Sequence, residues 1–333
     1  MALKIFDCHC HLQDPRILSM APQLIESALR SGVVHFAVNG IHEKDWHLVK
    51  QLADSHPSTI PNFGLHPWFV ADRSPIWFET LKQYLNAVPC AAVGEIGLDK
   101  GSHGREIPFN HQVEVFQKQL ELAKELRRPA TIHCVRAFQD ALEIIKCAGP
   151  FPHGFILHSY LGSAEMVSQF AEHGAYFSFS GFTMALKQQT AKKMLKAVPL
   201  DRILLETDAP EALPKVGLDS LPSTISECSH STGLLATGGS SSTNSQGSES
   251  LYESLNHPAN IHAVLHYVAS LLEMPAEELA EISYANSVRV FSFEGSKLFT
   301  VLHIDDSGSL YSERIRVKTF CRSVEIIFVY SCF

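Results

Sequence analysis

Asp7, His9 and His11 alternate with Cys8 and Cys10 in the stretch KIFDCHCHLQD, directly after an apolar start. Along a strand, positions i and i+2 share a face, so His9 and His11 should point one way and the two cysteines the other. Two neutral imidazoles on one side are half of a transition-metal site. The complement lies downstream, where Glu95, His133, His158 and Asp208 each end or follow an apolar, β-branched run, as does His66. Four histidines and two carboxylates would hold two divalent cations. One ion takes His9, His11, Glu95 and Asp208, the other Glu95, His133 and His158, so that Glu95 bridges. Two such ions roughly 3.5–4 Å apart clamp the attacking and leaving oxygens of an in-line displacement and generate hydroxide near neutral pH. That chemistry hydrolyses phosphodiesters, and Asp208 would also orient the water. Ligation requires neutral imidazole, so affinity is expected to fall as pH drops through about 6.5.

These residues need a frame that gathers them. Candidate strands cover residues 3–6, 33–38, 60–65, 90–96, 129–134, 154–159, 175–180 and 202–207, and amphipathic stretches run between them. In the stretch 109–127, Val113, Phe116, Leu120 and Ala123 recur at helical spacing on one face. Eight strands with returning helices predict an α/β fold, a TIM (β/α)8 barrel, whose chemistry sits on the loops at the carboxyl ends of the strands. The candidate ligands are placed there. A single histidine at a strand end is ordinarily a hydrogen-bonded or solvent-facing residue, and it is the joint placement that points to a metal site. His262 and His266 are spaced i, i+4 but lack the glutamate of a His-Glu-x-x-His helix, and are read as packing or surface residues.

The segments DCHCHL (7–12), GLHPW (64–68), GEIGLD (94–99), IHC (132–134), LHSYLGS (157–163) and LLETDAP (204–210) occur in one order. In that order the chain resembles the TatD family of metal-dependent deoxyribonucleases, from about residue 4 to 299. The resemblance implies a TIM barrel, the same six ligands, His66 near the substrate and exonuclease-like hydrolysis of DNA. It also implies Mg2+, whereas imidazole-rich sites suit Zn2+ or Mn2+ better. A site that accepts Zn2+ or Mn2+ and works with Mg2+ is expected. Three departures resemble a divergent eukaryotic branch of the family. The stretch HCVRA shifts the candidate phosphate clamp to Arg136, Lys100 stands where a tyrosine is usual, and NHP (256–258) replaces Asn-Glu-Pro. Asp99 either holds a ligand histidine by a hydrogen bond or caps the segment that follows.

With 333 residues, 45% hydrophobic and 19% charged, the chain can bury one sizeable core. A net charge of -8 argues against nucleic-acid binding through overall charge and leaves a phosphate to a local rim of Lys100, Arg105 and Arg136. The expected substrate is single-stranded DNA or DNA ends, because a barrel mouth admits an end more easily than the middle of a duplex. Two alternatives stand beside it: hydrolysis of a small-molecule amide, lactone or ester at the same metals, and a non-catalytic scaffold that binds a protein partner. The eight cysteines form no Cys-x-x-Cys pair and follow no leader, which suggests free thiols in the cytosol or nucleus. The longest apolar run, VEIIFVY, is too short to cross a membrane. The domain is expected to span 1–299, interrupted at about 217–255 by a Ser/Gly-rich insert read as a flexible surface loop. A tail at 300–333, of high β-propensity and no expected catalytic part, completes the chain.

Overall fold

Each of the eight apolar runs forms a strand: β1 (Ile5–Cys10), β2 (Val33–Asn39), β3 (Thr59–Phe63), β4 (Ala92–Asp99), β5 (Ala130–Val135), β6 (Phe155–Leu157), β7 (Ala175–Phe179) and β8 (Ile203–Leu205). They pair in sequence order, all parallel, as a (β/α)8 barrel. The computed structural model describes residues 3–214 and 255–299 in full and the backbone of 301–304 and 310–313. The expected insert, up to residue 254, lies outside the described residues, as do Cys228, Cys321, Cys332 and most of the tail. Within the tail, Val301–Ile304 and Leu310–Glu313 pair as an antiparallel ribbon.

Helices α1 (Ala21–Arg30), α2 (Trp46–Ser55), α3 (Trp77–Ala87), α4 (Phe109–Glu125), α5 (Phe138–Ala148), α6 (Ala164–Ala171) and α7 (Gln188–Ala197) return the chain between strands. After β8 come α8 (Ile261–Leu272) and α9 (Ala276–Phe291). Phe116, Leu120 and Ala123 of α4 are buried and Val113 is partly so, as their spacing requires. None of the described helices is long and apolar enough to cross a membrane.

Two layers of apolar side chains fill the molecule. The larger lies between strands and helices. The smaller joins Phe6, Ala37, Ile60, Ala92, Ile156, Tyr176 and Leu204, from seven different strands, to Val290, Phe291 and Phe293. Residues from opposite sides of a barrel meet only inside it, so this cluster fills the interior, and the end of α9 plugs it. Phe6 and Phe291 stack with ring centroids 5.2 Å apart.

β1 and β8 share no ladder, and α9 packs against both at this seam. Near the mouth the gap is stitched by other means. Asp208 N donates to His9 O at 2.9 Å, and His11 N donates to Ala209 O at 2.7 Å. The buried Asp7 carboxylate accepts the Thr207 amide at 2.8 Å and the Thr207 hydroxyl at 2.5 Å. The sequence carries Asp7 beside the histidines; its place in the fold makes it a clasp across the seam.

Candidate metal centre

β1 runs on past its apolar start, so His9 lies inside the strand and His11 directly after it. β4 likewise extends to Asp99, which places Glu95 in mid-strand instead of at its end. Glu95 is brought to the mouth by an irregularity in the β4–β5 register between Val93 and Ile96. Gly97, at φ 145°, follows it; any Cβ there would collide with the His133 carbonyl. His158 directly follows β6. Asp208 lies beyond β8 in the left-handed region at φ 55°, a conformation aspartate tolerates better than most residues.

Four donor atoms converge. His9 Nε2 and His11 Nε2 are 3.1 Å apart. Glu95 Oε2 lies 3.4 Å from the first and 3.3 Å from the second. Asp208 Oδ1 lies 3.7 and 3.5 Å from them. A tetrahedral ion with ligands at about 2.0–2.1 Å needs donors about 3.4 Å apart, so this N2O2 set fits a divalent cation. The other carboxylate oxygen faces a second set: Glu95 Oε1 is 2.9 Å from His158 Nε2 and 3.1 Å from His133 Nδ1, which are 3.2 Å from each other. One carboxylate thus presents each of its oxygens to a different histidine pair.

The partners behind the rings decide which nitrogen faces the centre bare. His11 Nδ1 donates to Asn39 O at 2.8 Å, His133 Nε2 donates to Asp99 Oδ2 at 3.1 Å, and His158 Nδ1 lies 3.5 Å from Glu206 Oε1. In the neutral rings of His11 and His133 the acceptor draws the ring hydrogen outward and leaves a lone pair directed at the centre. His66 is wired the opposite way. Its Nδ1 accepts the Trp68 amide at 3.2 Å, so its Nε2 carries the hydrogen toward Glu95 Oε1, 3.2 Å away. Proximity groups His66 with Glu95 and His133, but its ring hydrogen points at Glu95 where a ligand would present a lone pair.

The electrostatics follow from burial against this crowding. Burial pulls the His11 imidazole down, but the Asp208 hydrogen bond and the Glu95 charge outweigh it and carry it up to about 9. His158 rises as well, since the Glu95 and Glu206 carboxylates overcome its burial. Burial takes His66 down to about 4, so it stays neutral. Burial alone would raise Glu95, yet the His66, His158 and His9 imidazoles packed around it and the hydrogen bond from His133 hold it well below the usual carboxylate range. His11 and His158 therefore hold protons in the metal-free fold at higher pH than the 6.5 expected from free histidine, because the Asp208, Glu95 and Glu206 carboxylates retain them.

The family described as TatD related DNase matches residues 6–292. The chain belongs to that family. It is 27% identical over 290 residues to an uncharacterized metal-dependent hydrolase, YabD, of Bacillus subtilis, covering 86% of this chain and 98% of that protein. It is also 27% identical over 214 residues to a protein of Pantoea ananatis named 3'-5' ssDNA/RNA exonuclease TatD, covering 63% of this chain and 81% of that one. The structure of YJJV, a TatD homolog from Escherichia coli, has a TM-score of 0.71 at 24% identity, covering 88% of this chain and 100% of that one. This TatD-family chain is thus placed among metal-dependent hydrolases.

The remaining residues singled out in this TatD-family sequence divide between mouth and scaffold. Arg136 follows β5, is exposed at φ 54° and makes no hydrogen bond or ion pair with a described residue. Lys100 leaves the expected cationic rim: its Nζ pairs with Asp140 at 2.7 Å and sits 4.2 Å above the Phe109 ring. Arg105 donates back to Gly101 O. Asp99 combines its two alternatives: one oxygen accepts from His133, and the other caps the following segment by accepting the Gly101 amide. Cys8 and Cys10 turn away from the cluster, to Ser287 Oγ and Ala37 O, and the five described cysteines are free. Burial pushes the Cys134 thiol far above its ordinary range, which keeps it unreactive. In the NHP segment, Asn256 secures the chain after β8 through Thr207 O and Ala212 O. His262 packs against Ser31 O.

Four positioning residues escaped the sequence analysis. Glu206 stood inside LLETDAP; it is fully buried and also accepts from the Ser159 amide and hydroxyl at 2.7 Å each. Gln112 and Gln119 lie on the apolar face of α4, where their seven-residue spacing was the available signal. Gln119 bonds both backbone groups of Leu65, beside His66, and Gln112 bonds both those of Asp99. Trp68 donates its indole hydrogen to Asp99.

Proposed function

We propose that this TatD-family hydrolase is an exonuclease-like phosphodiesterase that removes nucleotides from the ends of single-stranded or frayed DNA with two divalent cations. The observation that carries this reading is the Glu95 carboxylate, one oxygen in the His9–His11–Asp208 set and the other beside His133 and His158. His9, His11, Glu95 and Asp208 would hold one ion, and Glu95, His133 and His158 the other. Bound there, Zn2+, Mn2+ or Mg2+ would supply charge for the phosphoryl oxygens and a water activated near neutral pH.

The chain's own groups would do the rest. Asp208 orients the water by accepting its hydrogen. His66 directs Nε2–H into the same space and donates to a phosphate oxygen. Arg136, unengaged at the rim, clamps the next phosphate along the strand. Of the expected cationic rim, Arg136 alone has no described partner, which favours an end over a long groove. The name of the Pantoea relative supports a single-stranded substrate. The free thiols suit the cytosol or nucleus.

The test uses single-stranded DNA labelled at the 5' or the 3' end, with Mg2+, Mn2+ and Zn2+ in turn, beside Glu95→Gln. Metal-dependent shortening from one end, lost in the variant, is expected. Metal-loaded protein that leaves both substrates intact would overturn the proposal and redirect the search to small-molecule esters and amides.

A further inference from the structure

Trp68 differs from the other two tryptophans. Trp46 and Trp77 are 0% and 6% exposed, whereas Trp68 is 39% exposed at the mouth of the barrel, in the turn that follows β3. Yet it is fixed. Its indole N–H donates to Asp99 Oδ2 at 2.5 Å, the same oxygen that accepts from His133 Nε2. Its ring centroid lies 4.7 Å from that of His66 and 5.8 Å from that of His133, both edge-on, and 4.7 Å from that of His103, which leans over it at 36°. A large apolar ring fixed in place with more than a third of its surface left to water gives up rotamer freedom without completing its burial, a combination expected where another flat apolar surface covers the rest. In a barrel whose strands run in order, β7 stands opposite β3, and the turn after β7 carries the exposed Phe182. Leu161 and Leu213, also exposed, follow β6 and β8 on that side. The mouth is therefore apolar on two facing walls with the charged cluster between them.

We propose that Trp68 is a stacking platform for the terminal base of a single-stranded nucleic acid, anchored through Asp99 so that the attached phosphate reaches the donor cluster. The proposal rests on the phosphodiesterase reading and adds to it how the substrate is gripped. Stacking needs only the flat face that every base has, so recognition is tolerant of sequence. The binding surface is tied through Asp99 to His133. Lys100 is paired with Asp140, which leaves the aromatic ring, more than the cationic rim, to hold the strand.

Because the other two indoles are buried, Trp68 is the ring whose emission a bound base can quench. The full-length protein with Mg2+ is titrated with an uncleavable phosphorothioate oligothymidylate and with a base-free oligomer of the same length. Quenching by the first and not the second is expected, and Trp68→Phe abolishes it. In cleavage assays Trp68→Ala should raise KM for oligothymidylate about tenfold, while Trp68→Phe, which keeps a ring but loses the bond to Asp99, stays within about threefold. Equal quenching by both oligomers, or by neither, overturns the platform. So does an equal KM penalty in the two variants, which would mark Trp68 as a tether for Asp99 only. If the wild type cleaves nothing with metal, the phosphodiesterase reading fails, and the quenching comparison still decides the platform.

Discussion

At the amino-terminal end of the barrel Phe6, Ile60, Ala92 and Leu204 close on Phe291 and Phe293; at the carboxyl end β1, β4 and β5 and the segments after β1, β3, β6 and β8 deliver five histidines and the carboxylates of Glu95, Asp99 and Asp208. The first cluster stabilises by taking carbon out of water, about 1.5–3 kcal/mol for each large side chain. The second opposes folding, since buried charges lose hydration that their mutual attraction only partly restores. The barrel thus separates stability from chemistry along its axis, and each end can be damaged without the other.

The largest effect belongs to Glu95→Gln. With both donor sets sharing this carboxylate, turnover should fall by about three orders of magnitude or more, while the chelated variant melts within about 4 °C of the chelated wild type. A large drop in the melting point in chelator would join the two ends energetically and end the distinction. At the other pole, Phe291→Ala should cost about 3–5 kcal/mol in urea unfolding, with Mn2+ affinity by calorimetry unchanged. Coupled loss of metal affinity there would show that the plug also shapes the mouth.

Asp99→Asn probes the polar end more finely. It removes the negative charge, and one of the two acceptor oxygens, that hold the His133 ring hydrogen on Nε2 and keep Nδ1 bare, and should weaken metal binding about 10–100-fold by calorimetry, with the chelated protein's unfolding midpoint unaffected. Unaltered affinity would reduce Asp99 to a turn residue.

The smallest effect is a slope. His11 rises from its ordinary 6.5 to about 9 in the metal-free fold, burial being outweighed by Asp208 and Glu95. A raised folded value contributes stability that is fully present below about 6.5 and is lost as pH climbs through about 9. The chelated protein should therefore melt lower at pH 9 than at pH 6.5. Mn2+ must displace that proton, so its affinity should rise by up to about tenfold per pH unit over the same window. Melting scans with EDTA and with Mn2+ should slope in opposite directions; parallel slopes would remove His11 from the metal set.

The eight strands and the six candidate ligands were legible because local rules produce them: β-branched runs make strands, and a parallel barrel collects strand ends on one face. Boundaries were less so. Glu95 was expected at the end of β4 and lies in mid-strand, because the strand's length is set by pairing with β5. Lys100 reads as a substrate cation until α5 supplies Asp140. Glu206, Gln112 and Gln119 carried little local signal, since their partners lie 47, 13 and 54 residues away.

The sequence by itself determined residue types and order: which side chains can bind a metal, and that a barrel would bring them to one mouth. Only the tertiary structure decided their protonation and direction. Whether a histidine offers a lone pair or a hydrogen depends on the partner at its far nitrogen: a carbonyl for His11, a carboxylate for His133, an amide for His66. Except for the Trp68 amide, two residues from His66, those partners come from other strands, and no spacing along the chain encodes them.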